Sequence, residues 1–209
     1  MNEARWMLVA PIREAAPPDG FGPALRRHLE QIRHPERRRA SISAWRLLAR
    51  ALDGRCADGL PEVDFAPNGK PFFRDCPLYF SIAHSGRLCA ASLADAETGV
   101  DVERVRPDFP PELVNRTLSD RERAVYDGDF TRLWCRKESV AKLTGRGMGA
   151  HPARIDTLEA SICFAEWTPV DEVGAEYRLT AAFSGAPGRV RLVIVDPEGR
   201  SSERMLSAR

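Results

Sequence analysis

Apolar residues recur along the chain in two rhythms, and the changes between them mark out the elements. Short runs that alternate, or that are apolar throughout, predict strands over residues 4–10, 63–65, 78–83, 88–94, 99–105, 162–167, 177–183 and 190–195. Helical spacing marks 24–32 and 40–52, the second with Ile42, Trp45, Leu48, Ala49 and Leu52 at its apolar positions. After a break at 107–111, helical material is expected to run to about Lys142, with Ser119 and Glu122 at capping-box spacing and Gly145, Gly147 and Gly149 ending it. A Pro/Gly-rich loop covers 11–23, and Asn68-Gly69-Lys70-Pro71 is a turn. The polar tail from Glu198 is expected to fray. Mixed strands and helices with several apparent hairpins predict an α+β fold, not a doubly wound sheet.

One strand carries chemistry. In Gly99-Val100-Asp101-Val102-Glu103, successive side chains point to opposite faces, so the valines share one face and the two carboxylates the other. Neighbouring carboxylates disfavour each other's ionisation, and a cation relieves the conflict. Hard oxygen ligands with open positions suit Mg²⁺, which takes one or two carboxylates, waters and substrate phosphates. A solvated acidic face is the plainer reading of the pentapeptide alone.

Composition narrows the field. A chain of 209 residues with 43% hydrophobic and 29% charged residues is long enough and ordinary enough to build a real core. A net charge of +1 argues against bulk electrostatic binding of nucleic acid. The five cysteines, at 56, 76, 89, 135 and 163, form no CxxC pair and leave one over, which argues against a disulfide framework or zinc site and fits a reducing, cytoplasmic setting. The N-terminal residues lack the architecture of a signal peptide, and no stretch is long enough to span a bilayer, so no membrane association is expected. The basic residues are 28 arginines and three lysines, Lys70, Lys137 and Lys142. An ammonium and a planar guanidinium are not interchangeable at a tight phosphate site, so the three lysines are candidates for chemistry.

Trp134, Glu138 and Lys142 follow one another at helical spacing on one face. Alone, Glu138 and Lys142 read as a surface ion pair. Beside an acidic strand, Glu138 becomes a third carboxylate or a base, and Lys142 a phosphate ligand. His84 lies between an apolar strand and a Ser-Gly turn, where a hydrogen-bonded structural histidine is the commoner case and a phosphate donor the sharper one. Lys70 sits on a turn stiffened by Pro71, either as an exposed lysine or as an ammonium held against a diphosphate. The run Arg37-Arg38-Arg39 with Arg46 reads as a solvated face or as a clamp on a terminal phosphate.

The set GKP (69–71), FSIAHS (80–85), GVDVE (99–103) and WCRKESVAK (134–142) resembles, in order and spacing, the Sfp-type 4'-phosphopantetheinyl transferases, over roughly residues 30 to 150. The resemblance implies a pseudo-dimer of two similar α/β halves, here 1–96 with the coenzyme A-binding basic residues and 97–209 with the acidic strand and catalytic helix, and an active site in the cleft between them. It implies transfer of the phosphopantetheine arm of coenzyme A to a serine of an apo acyl or peptidyl carrier protein, with release of adenosine 3',5'-bisphosphate. It also implies Asp101, Glu103 and Glu138 as Mg²⁺ ligands, Glu138 as general base, Lys142 at the scissile diphosphate, and His84, Lys70 and Lys137 as coenzyme A phosphate contacts. Arg46 and Arg38 compete for the 3'-phosphate. The chain departs from the family pattern at Ala83, often serine, and at Cys135, often serine or threonine. Two rival readings remain at this point: another Mg²⁺ enzyme such as a nuclease, and a non-catalytic carrier binder. A chain that builds its own cleft is expected to be monomeric.

Overall fold

Helices α1 (Pro23–Gln31) and α2 (Pro35–Leu52) cover one face of a five-stranded sheet in the computed structural model, which describes residues 5–14, 16–18, 20–52 and 60–209. Ala4 of the expected first strand and Cys56 lie outside the described residues. The sheet contains β1 (Arg5–Pro11), β4 (Tyr79–Ser85), β5 (Leu88–Ala94), β9 (Gly188–Val195) and β10 (Ser201–Ala208), in the order β10-β9-β1-β5-β4. Strand β1 is antiparallel to β5 and parallel to β9, with Leu8 opposite Ala91 on one side and Val193 on the other. A small hairpin, β2 (Val63–Phe65) and β3 (Pro71–Phe73), stands beside it.

Beneath this sheet lies a second one, antiparallel, of β6 (Thr98–Arg104), β8 (Tyr177–Ser184) and β7 (Ile162–Trp167), in the order β6-β8-β7. Leu25, Leu29, Trp45, Leu48, Phe80 and Leu93 form the core between the helices and the first sheet. Met7, Val9 and Ala90 meet Val100, Val102, Leu179 and Phe183 in a second core between the sheets. Helix α5 (Phe130–Thr144) covers the outer face of the second sheet, packing Val140 and Leu143 against Phe164 and Ala182. The layers therefore run helix, sheet, sheet, helix. Every residue of β5 is buried, as its unbroken apolar run requires of a strand covered on both faces.

The structure departs from the sequence expectations in four places. The tail past Glu198 is not frayed: β10 pairs along its length with β9, from Ser201 opposite Val195 to Ala208 opposite Gly188. Main-chain hydrogen bonds hold it, and charged Glu203 and Arg204 suit an edge strand. The helical material before Lys142 divides into α3 (Pro111–Thr117), α4 (Asp120–Arg123) and α5. The capping box is present, with Ser119 N donating to Glu122 Oε2 at 2.8 Å and Glu122 N donating to Ser119 Oγ at 3.2 Å. Helix α2 begins at Pro35, taking in the arginine run. Strand β4 continues through His84 and Ser85, which pair with Cys89 and Leu88. Residue 96 falls between strands of different sheets, and β9 and β10 return to the first sheet. Among the described residues no helix is long and apolar enough to cross a membrane.

Candidate active site

Strand β6 turns Val100 and Val102 into the core between the sheets, which leaves Asp101 and Glu103 on the face beneath α5. What lets the helix approach is Gly99. A Cβ there would lie 2.0 Å from the Ser139 carbonyl oxygen and 2.5 Å from the Leu143 nitrogen, so the helix backbone rests directly on the strand. The helix is fixed at both ends. Asp129 Oδ1 accepts from Arg132 N at 2.9 Å at its start. At its end Gly145 takes the left-handed conformation (φ 68°) that glycine adopts without steric cost. The Asn68–Lys70 turn grips that end: Asn68 Nδ2 donates to the Gly145 carbonyl at 2.7 Å, and Lys70 Nζ donates to the Leu143 carbonyl at 2.7 Å while pairing with Glu97.

This docking puts the Lys142 ammonium on Asp101 Oδ1 at 2.8 Å and on the Val100 carbonyl at 3.0 Å. Asp101 is 5% exposed, and its other oxygen, Oδ2, is buried with no hydrogen-bond partner among the described residues. Glu103 Oε2 accepts from Ser85 Oγ at 2.7 Å, joining the end of β4 to the acidic strand. Burial pushes the Glu103 carboxyl upward, and the Asp101 charge adds to the push against the Ser85 hydrogen bond. Glu138 is pushed upward first by burial, then by Asp101 and Glu103, with Lys142 opposing. The His84 imidazole is exposed at the rim but packed closely enough for desolvation to lower its pKa, and the Lys142 and Arg37 charges lower it further.

Two glutamates held above their ordinary range around a third acid form an environment that a cation would relax. The donor set is hard oxygen, with the carboxylates of Asp101, Glu103 and Glu138 crowded together and two of them pushed toward their neutral form, so the residues fit a divalent ion of the Mg²⁺ type. Among the described residues no three His, Cys, Asp or Glu side chains are grouped closely enough to hold an ion by themselves. A site completed by oxygens of the ligand is the arrangement Mg²⁺ commonly uses with phosphates.

Two recesses flank this centre. One, of about 270 Å³, lies between β4, the Asn68–Lys70 turn and the end of α5, and is lined by Lys70, Ser81, Ile82, Glu138 and Lys142 among others. The other, of about 210 Å³, adjoins Glu103 and is lined by Arg104, Arg106, Phe109, Leu113, Phe130 and Trp134. The first is basic and polar at one wall; the second is aromatic, with Phe109 and Phe130 centroids 4.5 Å apart.

Asp101, Glu103, Glu138, Lys142, His84 and Lys70 thus border one region. Lys137 does not. It is fully buried on another side of α5, where Nζ donates to Glu122 Oε2 at 2.6 Å and to the Pro152 and Ile155 carbonyls at 3.1 and 2.6 Å. The expected ligand contact at Lys137 is replaced by an internal ion pair. Of the α2 arginines, Arg37 is the one whose charge reaches His84. Arg46 is exposed and donates to the Ala16 carbonyl at 3.4 Å, and Arg38 is half-buried. Sequence reasoning passed over Ser85 and Asn68, although both stand inside motifs it used, and Glu97, whose only signal is its place at the start of β6.

The comparisons with known proteins agree with this geometry. The profile of the 4'-phosphopantetheinyl transferase superfamily matches residues 97–182, which include the acidic strand and α5. The chain is 32% identical over 151 residues to the 4'-phosphopantetheinyl transferase AcpT of Salmonella typhimurium, covering 60% of this chain and 77% of that one. It is 36% identical over 110 residues to AcpT of Escherichia coli K12, covering 47% and 56%. It is 34% identical over 89 residues to the 4'-phosphopantetheinyl transferase Sfp of Bacillus subtilis, covering 38% and 39%.

Proposed function

Because the chain belongs to the 4'-phosphopantetheinyl transferase superfamily, we propose that it moves the phosphopantetheine arm of coenzyme A onto a serine of an apo acyl or peptidyl carrier protein and releases adenosine 3',5'-bisphosphate. The observation that carries this reading is the Lys142–Asp101 contact beside Glu138, at the wall of a recess that also holds Lys70. An ammonium and a set of strained acids meeting at one opening suit a diphosphate that arrives with a divalent ion.

In this mechanism Asp101, Glu103 and Glu138 would hold Mg²⁺. Mg²⁺, when bound, supplies charge neutralisation at the diphosphate and its leaving oxygen. Lys142 exchanges its contact with Asp101 for a diphosphate oxygen, and Lys70, His84 and the α2 arginines bind the outlying phosphates. Glu138 takes the proton from the carrier serine as the serine oxygen bonds to the phosphorus of the phosphopantetheine arm. The anhydride bond on the far side breaks, and its electron pair leaves with the adenosine bisphosphate. Positioning the serine in line supplies most of the acceleration expected of phosphoryl-type transfer. The aromatic recess beside Glu103 and the segment 109–118 lie where a carrier would meet the site, so that segment sets carrier preference.

The test is incubation with coenzyme A, Mg²⁺ and a panel of apo carriers, read by intact mass. Transfer is expected with at least one carrier and is lost in Asp101→Ala and Glu138→Ala. Full transfer by both variants overturns the site assignment, and cleavage of plain DNA by the pure protein favours a nuclease instead.

A further inference from the structure

On strand β8, directly opposite Asp101 in the antiparallel ladder, stands Thr180. The two side chains share the face covered by α5, and directly opposed residues have their Cβ atoms about 4.5–5.5 Å apart. Thr180 is 1% exposed, and its hydroxyl is buried with no hydrogen-bond partner among the described residues. Asp101 Oδ2 is in the same condition. Two polar atoms without a partner among the described residues, one able to donate and one able only to accept, therefore sit at adjoining buried positions, where each costs free energy while unmade.

None of the other neighbours gives Oδ2 a strong donor. Glu166, opposite Thr180 on its other side, gives both oxygens to Arg136, at 2.8 and 2.6 Å. The Cys135 thiol lies within weak hydrogen-bond reach of the Asp101 carboxylate and is 3.2 Å from the Arg178 carbonyl, and its single, weak proton can serve only one of them. Lys142 holds Oδ1.

We infer that Thr180 is a positioning residue for Asp101: its hydroxyl donates to Oδ2, directly by rotation about χ1 or through one buried water, and fixes the plane of the carboxylate so that Oδ1 is the oxygen presented to the cleft. The fold supplies the reason for a threonine there. An alanine would leave Oδ2 without a donor, and a valine would fill the space without one. Held from behind, Asp101 keeps one orientation when Oδ1 exchanges the Lys142 ammonium for a metal ion. This inference rests on the reading of Asp101 as a metal ligand.

The experiment compares Thr180→Val, Thr180→Ser and Asp101→Asn with the parent protein. Mn²⁺ binding is followed by electron paramagnetic resonance, with and without saturating coenzyme A, and the melting temperature is recorded on the metal-free samples. Partners of metal ligands contribute about 10–100-fold to affinity. Thr180→Val is expected to melt lower than the parent, because Oδ2 loses its donor, and to weaken Mn²⁺ binding within that range when read well below its melting temperature; Thr180→Ser is expected to bind within about threefold of the parent. Thr180→Ala provides the same reading should the valine variant not fold. If Thr180→Val binds Mn²⁺ as the parent does while Asp101→Asn does not, the role of Thr180 is overturned and that of Asp101 stands. Weak binding by both Thr180→Val and Thr180→Ser also overturns it, because the serine retains the donor. Unchanged Mn²⁺ binding by Asp101→Asn removes the metal reading and this inference with it.

Discussion

Gly99 and Ser139 are in backbone-to-backbone contact: a Cβ on Gly99 would fall 2.0 Å from the Ser139 carbonyl oxygen. No rotamer change relieves a clash with main chain, so even a methyl group must move the helix. Gly99→Ala is expected to lower stability by about 2–3 kcal/mol or more, from the upper part of the usual range for overpacking upward. Because the same movement lifts Lys142 off Asp101, transferase activity should fall further than the unfolded fraction explains. Urea titration together with activity at a temperature where the variant is folded checks both.

The upward shifts at Glu103 and Glu138 set a sign. A carboxyl whose folded pKa is raised contributes stability below its unfolded pKa and loses it as the pH climbs through the folded value. At neutral pH without metal, both groups therefore strain the fold. Glu138→Gln is expected to melt a few degrees higher than the parent in chelator, at about 2–4 °C per kcal/mol for a chain of this size, and to transfer nothing. A lower melting temperature would contradict the account of the strain.

Lys137 and Glu122 behave oppositely. Glu122 is 2% exposed, and burial works against its charge, yet hydrogen bonds from Lys137, Ser119 and Thr157 hold its carboxyl below the ordinary range. A lowered carboxyl contributes stability above its unfolded pKa and loses it as the pH falls through the folded value. Lys137→Met should cost about 3–5 kcal/mol, the cost of leaving a buried charge unpaired, and should leave coenzyme A affinity of the folded protein unchanged. Glu122→Gln should flatten the acid limb of the stability curve between about pH 5 and the folded pKa. Calorimetry across pH and a coenzyme A binding isotherm separate the two effects.

Arg37 points its charge at His84, third among the causes that lower the histidine after burial and Lys142. Arg37→Ala should raise the His84 pKa, seen in the imidazole proton shifts on titration. Under the proposed function it should also weaken coenzyme A binding more than Arg46→Ala does.

Much of this was legible in the residues. The alternation of β6 fixed which side carries the acids, because a period of two admits one partition of Val100, Asp101, Val102 and Glu103. The spacing of Glu138 and Lys142 put both at the same recess. Lys137 was misjudged because scarcity of lysine grouped three residues by type, whereas five positions along a helix turn Lys137 about 140° away from Lys142. The arginine run was ambiguous for a related reason: three consecutive residues cover most of a turn, and only the docking of α2 decides which one faces His84. Strand β10 left no trace, since an edge strand held by main-chain bonds needs no apolar alternation. The Thr180–Asp101 pairing was beyond reach, because it depends on the register of strands far apart in sequence.

Leu8 is flanked by Ala91 on one neighbouring strand and by Val193 on the other. During synthesis the second of these partners leaves the ribosome long after the first. Until then the nascent chain carries an apolar ribbon with one side unzipped, and pairings so distant in sequence are slow to close. Holdase chaperones are suited to that interval, and yield in a foreign host should respond to translation speed and growth temperature more than to any change at the catalytic centre.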